Sequence, residues 1–305
     1  MNHIPYALIT PARNEEKHIE VLIESVIHQT VLPVKWIIVN DGSTDGTASI
    51  VQKYLADHPW IELLDLPVHR DRSFAAKAYA VNAGVECLAG ISWEVVGNID
   101  SDVSFDPDYC EFLIEKFESD PTLGVAGTIF SEDGGYSSGK DSFEGQNHVA
   151  GGCQLFRRKC FEEIGGYVPN KAGGVDWIAV TTARMKGWRT RSYREKSFYH
   201  YRKLGTAERS LLASAFSYGE KDYYLGNHPL WELVRVLYRS TKKPWLLGGA
   251  SLGFGYFSAW ARRMKRPVSD ELMRFHRREE MLKLRAIAES LFRLQKVDNF
   301  EVKPS

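Results

Sequence analysis

The sequence predicts an α/β fold, a mostly parallel sheet flanked by helices and followed by a helical C-terminal extension. Three observations lead there. Short apolar runs alternate with helix-period stretches over roughly the first hundred residues, the signature of βαβ units with right-handed crossovers. Two of the apolar runs stop at a carboxylate, Asp41 and Asp100, where an open parallel sheet places its ligands. From about residue 208 the periodicity is helical to the end.

The elements follow in order. "YALIT" (6–10) is a short strand broken by Pro11, and a helix over about 15–29 sets Ile19, Leu22, Ile23, Val26 and Ile27 on one face. "WIIVN" is the second strand, and the loop "DGSTDGT" leads into the helix "TASIVQKYLAD". "IELLDL" is a third strand, "SFAAKAYAVNAGVEC" a helix, and "WEVVGNID" a fourth strand that ends in "DSD" at 100–102. Beyond about residue 120 the regularity fades. "LGVAGTIF" reads as a strand, and the Gly- and Ser-rich 131–147 as a mobile functional loop. "GGCQLFRRKCFEEIGGY" supplies a strand and a helix, and "DWIAVTTARMKGW" a further helix.

Composition narrows the function classes. The chain has 305 residues, 44% hydrophobic and 26% charged, which is an ordinary folded protein rather than a disordered one. Lys plus Arg equals Asp plus Glu at 39 each, so no charge excess points to nucleic acid. Cys87, Cys110, Cys153 and Cys160 show no CxxC spacing and read as reduced cytosolic thiols. The start, "MNHIPYALITPARNEE", lacks the basic beginning and long apolar centre of a signal peptide, so the expected location is cytoplasmic.

The loop after the second strand has two readings. Ser43, Thr44 or Asp45 can cap the following helix, which accounts well for Asp45. It accounts poorly for Asp41, which precedes the turn and is a candidate for binding a base or a ribose. Asp100 and Asp102 give that loop a partner. Two carboxylates two residues apart at a strand end can hold one divalent ion, and hard oxygen ligands suit Mg²⁺ or Mn²⁺, which also bind diphosphates. Asp106 and Asp108, beside Pro107, read as turn and helix-start residues.

With these motifs in view, the chain resembles glycosyltransferase family 2, the inverting nucleotide-sugar transferases with the GT-A fold. The resemblance covers about residues 4–205, through "TPARNEE", "VNDGSTDGT", "AAKAYAVNAG", "NIDSD" and "GGCQLFRRKCFEEIGGY" in that order. It implies a GT-A catalytic domain over 1–207, with a donor half to about 105 and an acceptor half beyond it, and a separate helical region over 208–305. It implies that Pro11, Ala12 and Glu15 line the nucleoside pocket and that Asp41 bonds the base. Lys77 would sit near the donor, with Asp100 and Ser101 at the ribose or sugar. Asp102 would ligate the metal, Mg²⁺ or Mn²⁺, with His200 completing its shell; a purely structural histidine at a strand end is the alternative for His200. Asp176 matches the catalytic base, although Val175 stands where the family usually has Glu, and Glu132 and Asp133 are the next candidates. Arg13 stands where many relatives carry Tyr, which leaves the base preference open.

The implied activity is transfer of one sugar from a nucleoside-diphosphate sugar to a glycan or lipid-linked acceptor in polysaccharide, lipopolysaccharide or glycolipid assembly. No Q-x-x-R-W signature of processive synthases follows residue 200. Two rivals remain: a sugar nucleotidyltransferase, which usually has a Gly-rich N-terminal loop that "TPARNEE" is not, and a catalytically silent nucleotide-sugar or glycan-binding protein. No G-x-G-x-x-G follows the first strand, against a dinucleotide-dependent dehydrogenase.

One stretch stands apart. "PWLLGGASLGFGYFSAWA" (244–261) carries no charge across 18 residues and is flanked by Lys242, Lys243 and "RRMKR". It reads as lying on or re-entering a membrane surface, as spanning one, or as a helix buried against protein. The helix-period stretch after it could lie beside it. On the first reading the chain is peripheral to the inner face of the cell membrane.

Overall fold

The computed structural model of the chain describes residues 3–68, 74–132, 137–138, 145–170, 173–202 and 210–293. The chain divides into two compact units, residues 1–202 and 203–305.

The first unit is built on an eight-stranded sheet: β1 (Tyr6–Ala12), β2 (Lys35–Asp41), β3 (Ile61–Leu66), β4 (Val95–Ile99), β5 (Val103–Phe105), β6 (Leu123–Glu132), β7 (Cys153–Arg157) and β8 (Arg189–His200). Their order is β3-β2-β1-β4-β7-β6-β8-β5. The first four are mutually parallel, β7 runs antiparallel between β4 and β6, β8 is parallel to β6, and β5 is antiparallel to β8. Because β1, β2 and β4 point the same way, the chain leaves all three on one edge of the sheet, carrying the residues after Ala12, Asp41 and Ile99 to that edge.

Side chains alternate across a strand, and both faces of this sheet are covered. Leu8, Trp36 and Ile38 pack on one side, against α1 (Ile19–Ile27) and α4 (Tyr109–Ser119). Ile9, Ile37 and Val39 pack on the other, against α3 (Phe74–Glu86), α5 (Arg158–Ile164) and α6 (Val175–Met185). Helix α2 (Thr47–Leu55) follows β2. Continuous apolar runs in β1 and β2 follow from this two-sided burial. The four cysteines are free; burial pushes the thiols of Cys110 and Cys160 up to about 12, so those two are unreactive core residues.

Two boundaries and one strand differ from the sequence reading. Strand β1 continues through Pro11 to Ala12, because its pairing with β4 ends at Ile9 and only β2 pairs with it beyond. A residue without an N–H fits there. Helix α1 begins at Ile19 rather than near 15, after a turn in which the amides of His18 and Ile19 both bond the Glu15 carbonyl. The long β8, "RTRSYREKSFYH", was not evident in the sequence. Most of 131–147 lies outside the described residues, Asp133 included; of that stretch Ser131 and Glu132 extend β6, and Ser131 bridges Ser137.

The second unit holds α7 (Leu211–Leu225), α8 (Pro229–Ser240), α9 (Leu247–Ala261) and α10 (Asp270–Phe292). Local chemistry sets the ends: Ser210 accepts a bond from the amide of Ala213, Gly226 closes α7 with φ 95°, and Pro229 opens α8. A buried polar cluster ties α7, α8 and α10. Arg235 pairs with Asp222 at 2.7 Å, Glu280 accepts the amide of His228 at 2.7 Å, and His276 bonds Asn227 at 3.0 Å. Among the described residues no helix is long and apolar enough to cross a membrane, so the spanning reading of 244–261 has no helix to carry it.

Within that cluster Glu232 is fully buried. Burial first, and then the charges of Asp222 and Glu280, push its pKa up to about 9 against the opposing Arg235. The native state therefore keeps a proton that the unfolded chain releases at ordinary carboxylate pH. Stability from this group falls as pH rises between the two values. Glu232→Gln cannot ionise, so its Tm should gain on the wild type as pH rises from about 5 to about 9. Thermal unfolding at three pH values checks this; a constant gap would contradict it.

Candidate active site

The loop after β1 and the loop after β2 are knitted together. Asn14 adopts a left-handed backbone, φ 56°, and its amide donates to Ser43 Oγ at 3.0 Å while its Oδ1 accepts from Thr44 at 2.8 Å. The Glu15 amide donates to Thr47 Oγ1 at 2.8 Å, and Glu16 accepts from Gly46 at 3.0 Å. Asp45 Oδ1 accepts from the amide of Thr47, the first residue of α2, at 3.0 Å. Ser43, Thr44, Asp45 and Thr47 are thus engaged in holding the loops. Asp41 is buried at the end of β2, with Arg13 Nη1 at 3.9 Å from its Oδ2. Of the other two residues at this edge, Ala12 packs into the core and Pro11 is half-buried.

Beyond β4 the chain turns through Asp100, Ser101 and Asp102 into β5. Lys77 of α3 forms an ion pair with Asp100 and donates to the carbonyl of Gly151 at 3.2 Å. Burial opposes the charge on Lys77, but Asp100, helped by Asp176 and Asp102, outweighs it and raises the pKa. Ser101 and Asp102 are buried. Pairing of Val103 with His200 brings β8 alongside, and His200 Nε2 lies 3.6 Å from Asp102 Oδ1. The other ring nitrogen of His200 faces Glu132 at 3.8 Å and makes no hydrogen bond.

Asp100, Asp102 and His200 each offer a ligand atom within 4.8 Å of the others. Two carboxylates and an imidazole whose Nε2 faces Asp102 fit a divalent ion with positions left open for a substrate. Burial first, and then Asp100, raise the pKa of Asp102 against the opposing His200, Arg202 and Lys77.

Arg202, two residues past His200, supplies protein charge in that place. Its Nη2 lies 2.6 Å from both carboxylate oxygens of Glu15, and its Nε lies 3.6 Å from Asp102 Oδ2. Burial pushes Glu15 up to about 7, with Asp102 and Asp100 adding and Arg202 opposing. The sequence reading did not single out Arg202. The available signal was a basic residue two positions past His200.

Asp176 stands in the first turn of α6, entered through Gly173 and Gly174 with φ 95° and 76°. Val175, beside it, is buried in the core, which explains an apolar residue there. The Asp176 side chain rests on Gly151: a Cβ at 151 would come within 2.7 Å of its Oδ2. Gly151 therefore underlies both Lys77, through its carbonyl, and Asp176, through its missing side chain. Tyr167 lies near Asp176, its hydroxyl bonded to Gln154 and approached by Asn98 Nδ2 at 3.4 Å. Asp108, read as a helix-start residue, precedes α4 without capping it and pairs instead with Lys196. Lys77, Asp100, Asp102, Asp176 and His200 thus gather around the carboxyl edge of β4, with Asp41 and Glu15 on the loops beyond β2 and β1.

Comparison with known proteins agrees with this geometry. Residues 7–147 match the model of the family described as glycosyl transferase family 2, a stretch that contains Asp41, Asp100 and Asp102 but not Asp176 or His200. The 4,4'-diaponeurosporenoate glycosyltransferase of Staphylococcus aureus is 38% identical over 127 residues, 41% of this chain and 31% of that protein. The hyaluronan synthase of Pasteurella multocida is 31% identical over 129 residues, 42% of this chain and 12% of that protein. The aligned stretch thus spans less than a third of each of these relatives. Among solved structures, mannosyltransferase PcManGT from Pyrobaculum calidifontis, in complex with GDP-Man and Mn²⁺, superposes with a TM-score of 0.57 at 19% identity, over 95% of this chain and 81% of that one. S. aureus TarS 1-349 in complex with UDP-GlcNAc gives 0.54 at 15%, over 97% and 89%. At these identities the likeness shows the fold, which is the GT-A architecture expected from the sequence.

The ligand set predicts that the protein binds Mn²⁺ without any nucleotide. Asp102→Ala should weaken that binding at least tenfold, because an acid of the set is lost. Mn²⁺ titration followed by electron paramagnetic resonance measures it; equal binding by wild type and variant would remove the metal role.

Proposed function

We propose, on the premise that the chain belongs through residues 7–147 to glycosyl transferase family 2, that it moves one sugar from a nucleoside-diphosphate sugar to an acceptor hydroxyl with inversion at the anomeric carbon. The observation that carries this reading is the gathering of Asp100, Asp102 and His200 with Lys77 and Asp176 at the carboxyl edge of a parallel sheet.

The roles follow from charge and position. Asp41 accepts N–H groups of the base, and Pro11, Ala12 and Glu15 border the nucleoside. Asp100 and Ser101 face the ribose or sugar. Glu15, Asp41, Asp100, Asp102 and Asp176 outnumber Arg13, Lys77 and Arg202, so an anionic diphosphate would be repelled without a further cation. A divalent ion, Mg²⁺ or Mn²⁺, held by Asp102 and His200 with Asp100 beside it, would offset the charge that develops on the leaving diphosphate. Lys77 adds a fixed positive charge near Asp100. Arg202 neutralises Glu15 and Asp102 in the absence of a donor, and its half-exposed guanidinium is free to turn towards phosphate when one arrives.

Asp176 is the base. It takes the proton of the attacking hydroxyl as the bond to the anomeric carbon forms and the bond to the diphosphate breaks. A single displacement of this kind needs no covalent nucleophile. The acceptor is assigned to glycans or lipid-linked molecules of cell-envelope assembly, with catalysis on the cytoplasmic side.

Screening UDP-, GDP- and dTDP-sugars with Mn²⁺ by thermal shift identifies the donor; stabilisation by none of them overturns the assignment. With the donor known, Asp176→Asn should keep donor affinity and lose roughly 10²-fold or more in transfer. Gly151→Ala should also lose transfer, by about tenfold, since its methyl displaces the Asp176 carboxylate, while Mn²⁺ affinity stays. Near-normal turnover in Asp176→Asn would move the base to another residue.

A further inference from the structure

Helix α9 has two faces of different character. Gly248, Gly249, Leu252, Gly253, Gly255, Tyr256 and Ala259 are buried. The glycines are there for close approach: a Cβ at 249 would lie 2.0 Å from Ser240 Oγ and 2.5 Å from the Val236 carbonyl of α8. One at 255 would lie 2.1 Å from the Phe216 carbonyl of α7, and one at Gly219 of α7 would lie 2.0 Å from the Leu252 carbonyl. The two serines bond backbone carbonyls. Ser251 donates to the Leu212 carbonyl at 2.7 Å and Ser258 to the Gly255 carbonyl at 3.0 Å. The four glycines that made this run a poor membrane segment by composition therefore belong to its inner face.

The outer face has no polar side chain. Leu247, Ala250, Phe254, Phe257 and Trp260 follow one another at helical spacing, and Trp245 and Leu246 precede them. Phe254 is 69% exposed, Trp260 63% and Trp245 60%. Tryptophans stand at both ends. The sequence from Leu233 to Ser269 has no acidic residue and eight basic ones, of which Lys242 and Lys243 lie before the helix and Arg263 and Lys265 after it, all exposed.

We propose that the outer face of α9 docks in the plane of an anionic lipid bilayer. Fifteen residues of helix reach about 22 Å, short of the roughly 30 Å hydrocarbon core, so the helix lies in the surface rather than crossing it. Phe254 and Phe257 enter the acyl boundary, and Trp245 and Trp260 sit at headgroup level. The basic residues at both ends meet anionic headgroups, which selects a lipid surface of that charge. This binding does not depend on the transferase reading, because every residue in it belongs to the second unit.

Flotation of the full chain with vesicles, without donor or metal, tests it. Vesicles of phosphatidylcholine with phosphatidylglycerol should carry the protein, and phosphatidylcholine alone should carry at least tenfold less. Phe254→Glu with Phe257→Glu should lose binding tenfold or more with unchanged Tm; both positions are exposed, and Phe254→Ser with Trp260→Ser serves if the first pair fails to fold. Lys243→Gln with Arg263→Gln should lose the preference for phosphatidylglycerol. Absence of flotation, or binding by the phenylalanine variants equal to wild type, overturns the proposal. So does a dimer in sedimentation that those variants dissociate, which would make the face a contact between copies.

Discussion

Carboxylates buried at the carboxyl edge of a parallel sheet must be paired, and the rest of the first unit is arranged around that requirement. Glu15, Asp41, Asp100 and Asp102 come from three separate loops, and leaving one ionised and unpaired would cost several kcal/mol. Arg202 answers Glu15 and Asp102, Lys77 answers Asp100, and Arg13 approaches Asp41. Each cation comes from a different element: the end of β8, helix α3 and the loop after β1. The sheet order, which sets β5 against β8 at the far edge and lets β8 return towards β4, is what makes those pairings geometrically available. Burial, more than any neighbouring charge, raises the pKa values of Glu15 and Asp102 despite that pairing.

Absent side chains matter as much as present ones. At Gly151 the missing Cβ lets the Asp176 side chain rest against the backbone whose carbonyl Lys77 also holds, so one glycine sets the distance between the proposed base and the donor side. In the second unit Gly219, Gly249 and Gly255 let helices approach until carbonyls are near contact. That packing consumes one face of α9 and leaves the other wholly apolar. In both places a residue that contributes no chemistry determines where the chemistry can occur.

The parallel half of the sheet was legible because two-sided burial makes its strands continuous apolar runs, as in "WIIVN" and "WEVVGNID", and helix-period stretches separate them. Strand β8 was not legible. "RTRSYREKSFYH" holds four basic residues and an acid, and it becomes a strand through its pairing with β6 and β5. The start of α1 differs for the same kind of reason: residues 14–16 are tied to Ser43, Thr47 and Asp45, 29 to 32 positions away, and a turn precedes the helix. Asp41, Asp100 and Asp102 could be named in advance since each ends an apolar run. Arg202 could not, because the only local mark is its closeness to His200 and its partner Glu15 lies 187 positions away.

The sequence by itself determined the α/β class, the acids at the strand ends and the apolar run at 244–261, since each depends on residue type and short-range spacing. Tertiary structure decided which of these meet. It joined His200 to Asp102 through the β5–β8 ladder, set Arg202 between Glu15 and Asp102, and laid Asp176 on Gly151. It also chose which face of α9 is covered. The physical reason is separation along the chain: a strand pairing or a helix packing between residues tens to nearly two hundred positions apart is selected by the energy of the whole fold, which no local pattern contains.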